Sequence, residues 1–198
     1  MAGLNFLQIM RKANAQGKIP GRPDTREWFR NQAKRVVSVN VAKLVTDPAA
    51  SDRIEPGKMY LFAYDAKWKD KLPYWDMFPL IFPFKVEDDR VWGINLHYLP
   101  IPLRAKLMDE LYTLVDNRFK NENKKLRLSY EVLNGVTRFA AFRPCVKSYL
   151  RGHFRSKFLL IPYDQWDVAL TLPLQRFQKQ SQSSVWADTK AVVNGDSW

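Results

Sequence analysis

Arg143, Lys147, Arg151 and Arg155 recur every four residues, with no acidic residue among them. On a helix, four residues advance about 400°, so successive members stand about 40° apart in one slanted row. Like charges at that spacing repel by a few tenths of a kcal/mol per pair. An anionic partner relieves the repulsion, and the phosphate backbone of nucleic acid is the commonest one. Lys157 extends the patch, and Lys124, Lys125, Arg127 and Arg138 widen it. A solvated helix face is the plainer reading, but the charge distribution weighs against it. Of a net charge of +12, residues 117–160 carry eleven Lys/Arg against two Glu, a net of +9. Charge concentrated in this way is an electrostatic footprint for a polyanion. Acidic side chains of a neighbouring subunit would meet the same row equally well.

Other residue types with chemical potential are sparse. His97 stands in Asn95-Leu96-His97-Tyr98, expected to be a strand, and reads as a core histidine satisfied by one hydrogen bond. No paired serine or cysteine marks it as a general base. His153 lies in the basic stretch and suits anion contact better than catalysis. Asp65-Ala66-Lys67 with Glu55 upstream is a faint carboxylate–lysine pattern of metal-dependent nucleases, with spacing too short for a two-metal site. Asp164 reads as a turn residue beside Trp166 and Asp167. With one Cys and two His, a structural zinc site is excluded. Cys145 has no partner for an internal disulfide, fits a reducing compartment, and reads as buried. No phosphate-binding glycine loop or dinucleotide fingerprint occurs. These absences point to a binding protein with no cofactor and no metal, and not to an enzyme.

The elements that must position the basic row follow from periodicity. Leu4, Phe6, Leu7, Ile9 and Met10 precede Arg11 and Lys12, the reverse of a secretory signal. Gly17, Pro20, Gly21 and Pro23 then make a hinge, so residues 1–23 are expected as an arm. Asp24 and Glu27 fit a capping box, and Phe29, Ala33, Val36, Val37, Val41 and Leu44 follow at helical spacing, with Arg26, Arg30 and Lys34 on another face. From Gly57 the pattern turns to strands: 59–64 buried on both faces, then 78–86 and 91–98 as a hairpin about Glu87-Asp88-Asp89-Arg90. Pro79 and Pro83 suggest that the first hairpin strand is an edge or bulged strand. Further strands are expected at 158–161 and 166–172, and five short strands suit a small, strongly bent barrel.

Three helices are expected as an insertion over 101–157. The first bears Leu103, Leu107, Met108 and Leu111, the second Val132, Leu133, Val136 and Phe139. The third starts at Pro144 and carries the basic row. Residues 178–198 read as an extended tail. No run of eighteen apolar residues provides a membrane span. Seven Trp, eight Tyr and twelve Phe supply one well-buried core for 198 residues.

Several segments together resemble a family of virion proteins from T-even-type tailed bacteriophages. They are Leu72-Pro73-Tyr74-Trp75-Asp76 with Phe78-Pro79-Leu80, Gly93 to Pro100 with Arg104-Ala105, Phe142 to Leu150, Arg155 to Phe158, Trp166-Asp167 and Leu172-Pro173. The family is described as DNA end protector or virion structural protein. The resemblance implies a place in the virion, at the end of packaged DNA or in the head–tail region, and brings no catalytic motif.

The expectation is thus one α+β domain over 24–177: a five-stranded barrel-like antiparallel sheet, a basic three-helix insertion and an N-terminal helix. Its expected partners are double-stranded DNA, held at the phosphates, and other virion proteins, with no membrane. The principal alternative is a tail, baseplate or neck component whose basic face and termini bind neighbours; a metal-dependent nuclease comes third. Phe6, Leu7, Trp186 and Trp198 are the expected partner-binding anchors, because a tryptophan on a polar tail gains from a neighbour's pocket.

Overall fold

Met59, Tyr60 and Leu61 are all buried and form β1 (Met59–Leu61). Met59 and Leu61 enter the larger core, whereas Tyr60 and the following Phe62 enter a second, aromatic one. Burial on both faces, read from the alternation, is therefore observed. The computed structural model describes residues 6–19, 22–33, 35, 40–48, 50–116 and 140–194.

The sheet contains β1, β3 (Leu80–Val86), β4 (Arg90–Asn95), β5 (Val146–Leu150) and β6 (Leu159–Ile161), in the order β5-β4-β3-β1-β6, all antiparallel. A separate two-stranded ribbon pairs β2 (Trp75–Asp76) with β7 (Phe177–Gln178). The expected hairpin is present, closed by Glu87 N donating to Arg90 O at 2.9 Å. The barrel-like closure is not: β5 and β6 are the outer strands, and residues 151–158 between them make only isolated bridges, Tyr64 with Phe154 and Ser51 with Phe158.

Strand β3 lies inside the sheet and is irregular at Pro83, the bulged form of the two expected for it. A register shift between Pro83 and Lys85 accommodates the missing donor. Opposite Pro83 stands Gly93, where an added Cβ would lie 2.9 Å from Phe82 O.

Helices cover the larger core. In α1 (Phe6–Ala15), Ile9 and Ala13 stand four apart and are both buried. Gly17, at φ +62°, ends that helix in the left-handed region. In α2 (Pro23–Ala33) the first-turn proline replaces the expected capping box: Asp24 lies inside the helix and Thr25 Oγ1 donates to Arg22 O at 3.1 Å. The expected continuation to Leu44 is interrupted, since Asn40 caps a separate α3 (Val41–Leu44). Arg30, on the face of α2 away from the apolar stripe, bonds Asp109 at 2.9 Å and Asp167 at 3.0 Å. The first insertion helix is observed as α4 (Ile101–Asp116), and the second lies outside the described residues.

Three expectations are overturned. The third insertion helix is a 3-10 turn (Ala140–Cys145) followed by β5, whose Ser148 pairs with Trp92. The strand expected at 166–172 begins as α5 (Trp166–Ala169), because a short, wholly buried run carries no periodicity to separate the two forms. The extended tail is largely α6 (Gln182–Asn194). The serine run starts this helix, with Ser181 Oγ accepting from Ser184 N. Val185 and Thr189, four apart, are buried, and Thr189 Oγ1 donates to Tyr98 O at 2.8 Å. Deleting residues 178–198 is consequently expected to lower Tm by about 5–10 °C, because buried Val185 and Thr189 and half-buried Trp186, with their hydrogen bonds, would be removed. An unchanged thermal midpoint would show α6 to be dispensable for the fold.

Candidate nucleic-acid interface

Strand β2 and the loop before it face β5 across a pocket of about 290 Å³. Its walls are aromatic, formed by Trp68, Tyr74, Trp75, Tyr98 and Tyr149. Lys67, Arg90 and Lys147 bring positive charge to its lining. Trp68 is 54% exposed, and the ammonium groups of Lys67 and Lys71 each lie 5.1 Å from its ring centroid. An exposed indole flanked by cations matches the pairing of stacking and phosphate contact used on single-stranded nucleic acid.

The loop is held from two directions. Asp65 exchanges backbone bonds with the turn at His153: Asp65 N donates to His153 O at 3.0 Å, and Asp65 O bonds His153 Nδ1 at 2.9 Å. Lys179, just after β7, donates its ammonium to the carbonyls of Lys69 and of Leu72, the latter at 3.0 Å. Lys179 adopts φ +68°, a left-handed conformation costing a non-glycine residue about 1 kcal/mol or more.

Below the rings sits a buried polar network. Asp76 accepts from His97 Nδ1 at 2.6 Å, from Asn95 Nδ2 at 3.3 Å, and from the backbone amides of Phe78 and Arg176 at 3.1 Å. Asn95 also donates to Tyr149 Oη at 3.0 Å, holding that ring in the pocket wall. His97 is fully buried in a 3-10 turn, not a strand, and serves as the core histidine read from the sequence. Its Nε2 has no hydrogen-bond partner among the described residues, so no hydroxyl or thiol there is activated by it. Burial pushes the Cys145 thiol up to about 12, the inert state of a core cysteine.

Two donors at the pocket stand out. Trp75 Nε1 is buried without a hydrogen-bond partner among the described residues. The Lys147 ammonium lies 4.0 Å from the Tyr98 ring centroid, and burial pushes it down to about 8. It stays mostly protonated at neutral pH, and an anion beside it would favour that charged form further.

A family model described as phage T4 terminal DNA protecting protein matches residues 4–193. The chain belongs to that family. No curated protein and no solved structure matches it. The segments that carried the resemblance, 72–76, 93–100 and 142–150, converge on the pocket through Trp75, Tyr98 and Lys147.

The basic row of this family member is not a helix stripe. Arg143 lies in the 3-10 turn, Lys147 in β5, Arg151 in the next 3-10 turn (Arg151–His153) and Arg155 beyond it. Lys147 alone of the four lines the pocket. Arg151 donates to Glu87 O at 3.0 Å, Arg155 pairs with Asp65 at 3.3 Å and Lys157 with Asp52 at 3.4 Å. Lys124, Lys125, Arg127, Arg138 and Trp198 lie outside the described residues. Phe6 and Leu7 open α1. Trp186 is half-buried in its own chain, its indole N–H donating to His97 O at 2.8 Å. Asp65 is also paired with Lys69, and Glu55 with Lys58, so the two carboxylates do not form one centre. Among the described residues, no three Asp, Glu, His or Cys side chains gather as a metal site, and no helix is long and apolar enough to cross a membrane. Sequence reasoning missed Trp68 and the Asp76–His97 pair, and read Lys67 only as part of a faint nuclease pattern. Tryptophan beside lysine in a polar turn was the available signal.

Proposed function

We propose that this chain is a non-enzymatic virion protein that binds the ends of packaged double-stranded DNA. Arg143, Lys147, Arg151, Arg155 and Lys157 contact phosphates, together with Lys124, Lys125, Arg127 and Arg138. The observation that carries the reading is the family match over residues 4–193, joined to the net +9 concentrated in residues 117–160. The exposed ion pairs of Arg155 and Lys157 contribute little and exchange readily for phosphate.

With four to six phosphate contacts, log affinity for linear duplex should fall against log salt with a slope of about −4 to −5. Linear duplex should also compete far better than closed circles. Magnesium should leave the DNA intact, because each acid of the faint nuclease pattern has its own cation partner. A flat salt dependence removes DNA from the account.

A second reading is favoured by Arg155 and Lys157 already facing carboxylates. In it, the basic face meets acidic side chains of neighbouring virion proteins in the tail, baseplate or neck, and Phe6, Leu7, Trp186 and Trp198 serve as anchors. Loss of particle incorporation without loss of DNA binding, on charge reversal at Arg143 and Arg151, would favour it.

A further inference from the structure

We propose that the pocket between Trp68, Trp75 and Lys147 receives one unpaired nucleobase from the DNA end, stacked between aromatic faces with its phosphate against the flanking lysines. This rests on the DNA-end reading above and specifies which part of the end is held.

The occupant follows from the lining. Flat aromatic faces present to planar π-systems, and every base has one, so stacking captures an end without regard to sequence. Lys67 and Lys71 flank the exposed Trp68 ring, where the phosphates attached to a stacked base would run. Inside, the Lys147 ammonium is a donor, and a base edge supplies carbonyl and ring-nitrogen acceptors for it. An apolar guest would leave the Lys147 ammonium without an acceptor, and a carboxylate guest would gain nothing from the aromatic rings. At about 290 Å³ the pocket lies at the small end of ligand sites, suited to one base and not to a paired step. Duplex interiors are excluded because their bases are already stacked, whereas a terminal base frays at low cost. Recognition of an end, as opposed to any stretch of duplex, is thereby explained by the pocket. The surrounding cations bind both alike.

The test uses full-length protein and three oligonucleotides of equal duplex length: a dumbbell closed at both ends, a blunt duplex, and a duplex with a single-stranded overhang of a few nucleotides ending in 2-aminopurine. Wild type should bind the overhang roughly 10- to 100-fold more tightly than the dumbbell, the range expected for loss of one base stack. The 2-aminopurine fluorescence should be quenched on binding. Trp68→Ala, at an exposed position, and Lys147→Gln should each reduce the overhang preference, read as the ratio of overhang to dumbbell affinity. Quenching should vanish in Trp68→Ala. If both variants keep the preference and the quenching, the pocket is overturned and end binding stands. If wild type binds the dumbbell and the open ends equally, or binds none of them, the end reading falls and the pocket with it.

Discussion

Arg104→Ala should destabilise the protein by about 3–5 kcal/mol, the range for breaking a buried, compensated charge. Arg104 stands in the first turn of α4 and is the largest fully buried side chain among the described residues. Its guanidinium donates to Leu99 O at 2.7 Å, Leu170 O at 2.9 Å and His97 O at 3.2 Å, and faces the Trp186 ring at 5.3 Å. Burial pushes it down to about 9, still charged at neutral pH. One side chain therefore ties the 3-10 turn under the pocket to the segment after α5 and to α6. Alanine would leave three carbonyls short of a donor and open a cavity. For a chain of this size the loss corresponds to a fall in Tm of roughly 6–20 °C. Arg104→Lys keeps the charge but not the planar fork that reaches three acceptors, so it should recover less than half of the loss. A lysine variant as stable as wild type in thermal unfolding would show that charge alone matters there.

Stability should also fall steeply between pH 7 and pH 5, and His97 should be the reason. Burial holds its imidazolium below the ordinary histidine range, assisted by Arg104 and Arg176 and opposed by Asp76. At neutral pH the pair is an ionised Asp76 and a neutral His97 donating through Nδ1. As pH drops through about 6.5, the unfolded chain takes up a proton that the folded chain refuses. Stability is then lost at up to about 1.4 kcal/mol per pH unit. Asp76 extends the loss at lower pH. Burial raises it, but His97 and the amides of Arg176 and Phe78 outweigh that and bring it below the usual carboxylate value. Its contribution is present above the unfolded carboxylate pKa and disappears as pH falls through the folded one. His97→Gln should flatten the dependence between pH 7 and 5, even from a lower starting stability. Denaturant midpoints across that range give the slopes directly. An unchanged slope in His97→Gln would place the proton uptake elsewhere.

Much of the sheet was legible because its signals are local. Glu87 to Arg90 is polar between two apolar runs, and the alternation at 59–64 assigns opposite faces to successive residues. The basic row failed for a geometric reason. A spacing of four returns to nearly the same side of a helix and also to the same face of a strand, so charge recurrence does not choose between them. The informative pattern was Val146-Lys147-Ser148-Tyr149-Leu150, whose Tyr149 is buried between two half-buried neighbours. The tail misled because a serine run looks like linker, whereas here it starts a helix whose apolar positions are only Val185 and a few neighbours. The pocket was beyond reach of any local pattern, drawing residues 64–76, 90, 98 and 147–150 into one cavity. His97 was read correctly as a core residue, yet its partner Asp76, 21 positions earlier, had no signal beyond lying in an aromatic segment.

Lys179 has a mechanical consequence. Its ammonium pins the loop that presents Trp68, while its backbone, held in a left-handed twist, leads from β7 directly into α6. The Trp68 loop and the C-terminal helix are thus coupled through one side chain that spans about 110 positions of sequence. A fluctuation that releases this latch relaxes the twist and slackens the aromatic wall in the same event. Conversely, whatever grips Trp68 from outside also tightens the chain's last ordered helix against its body, so a load applied at the pocket is carried through the fold to the C-terminal end.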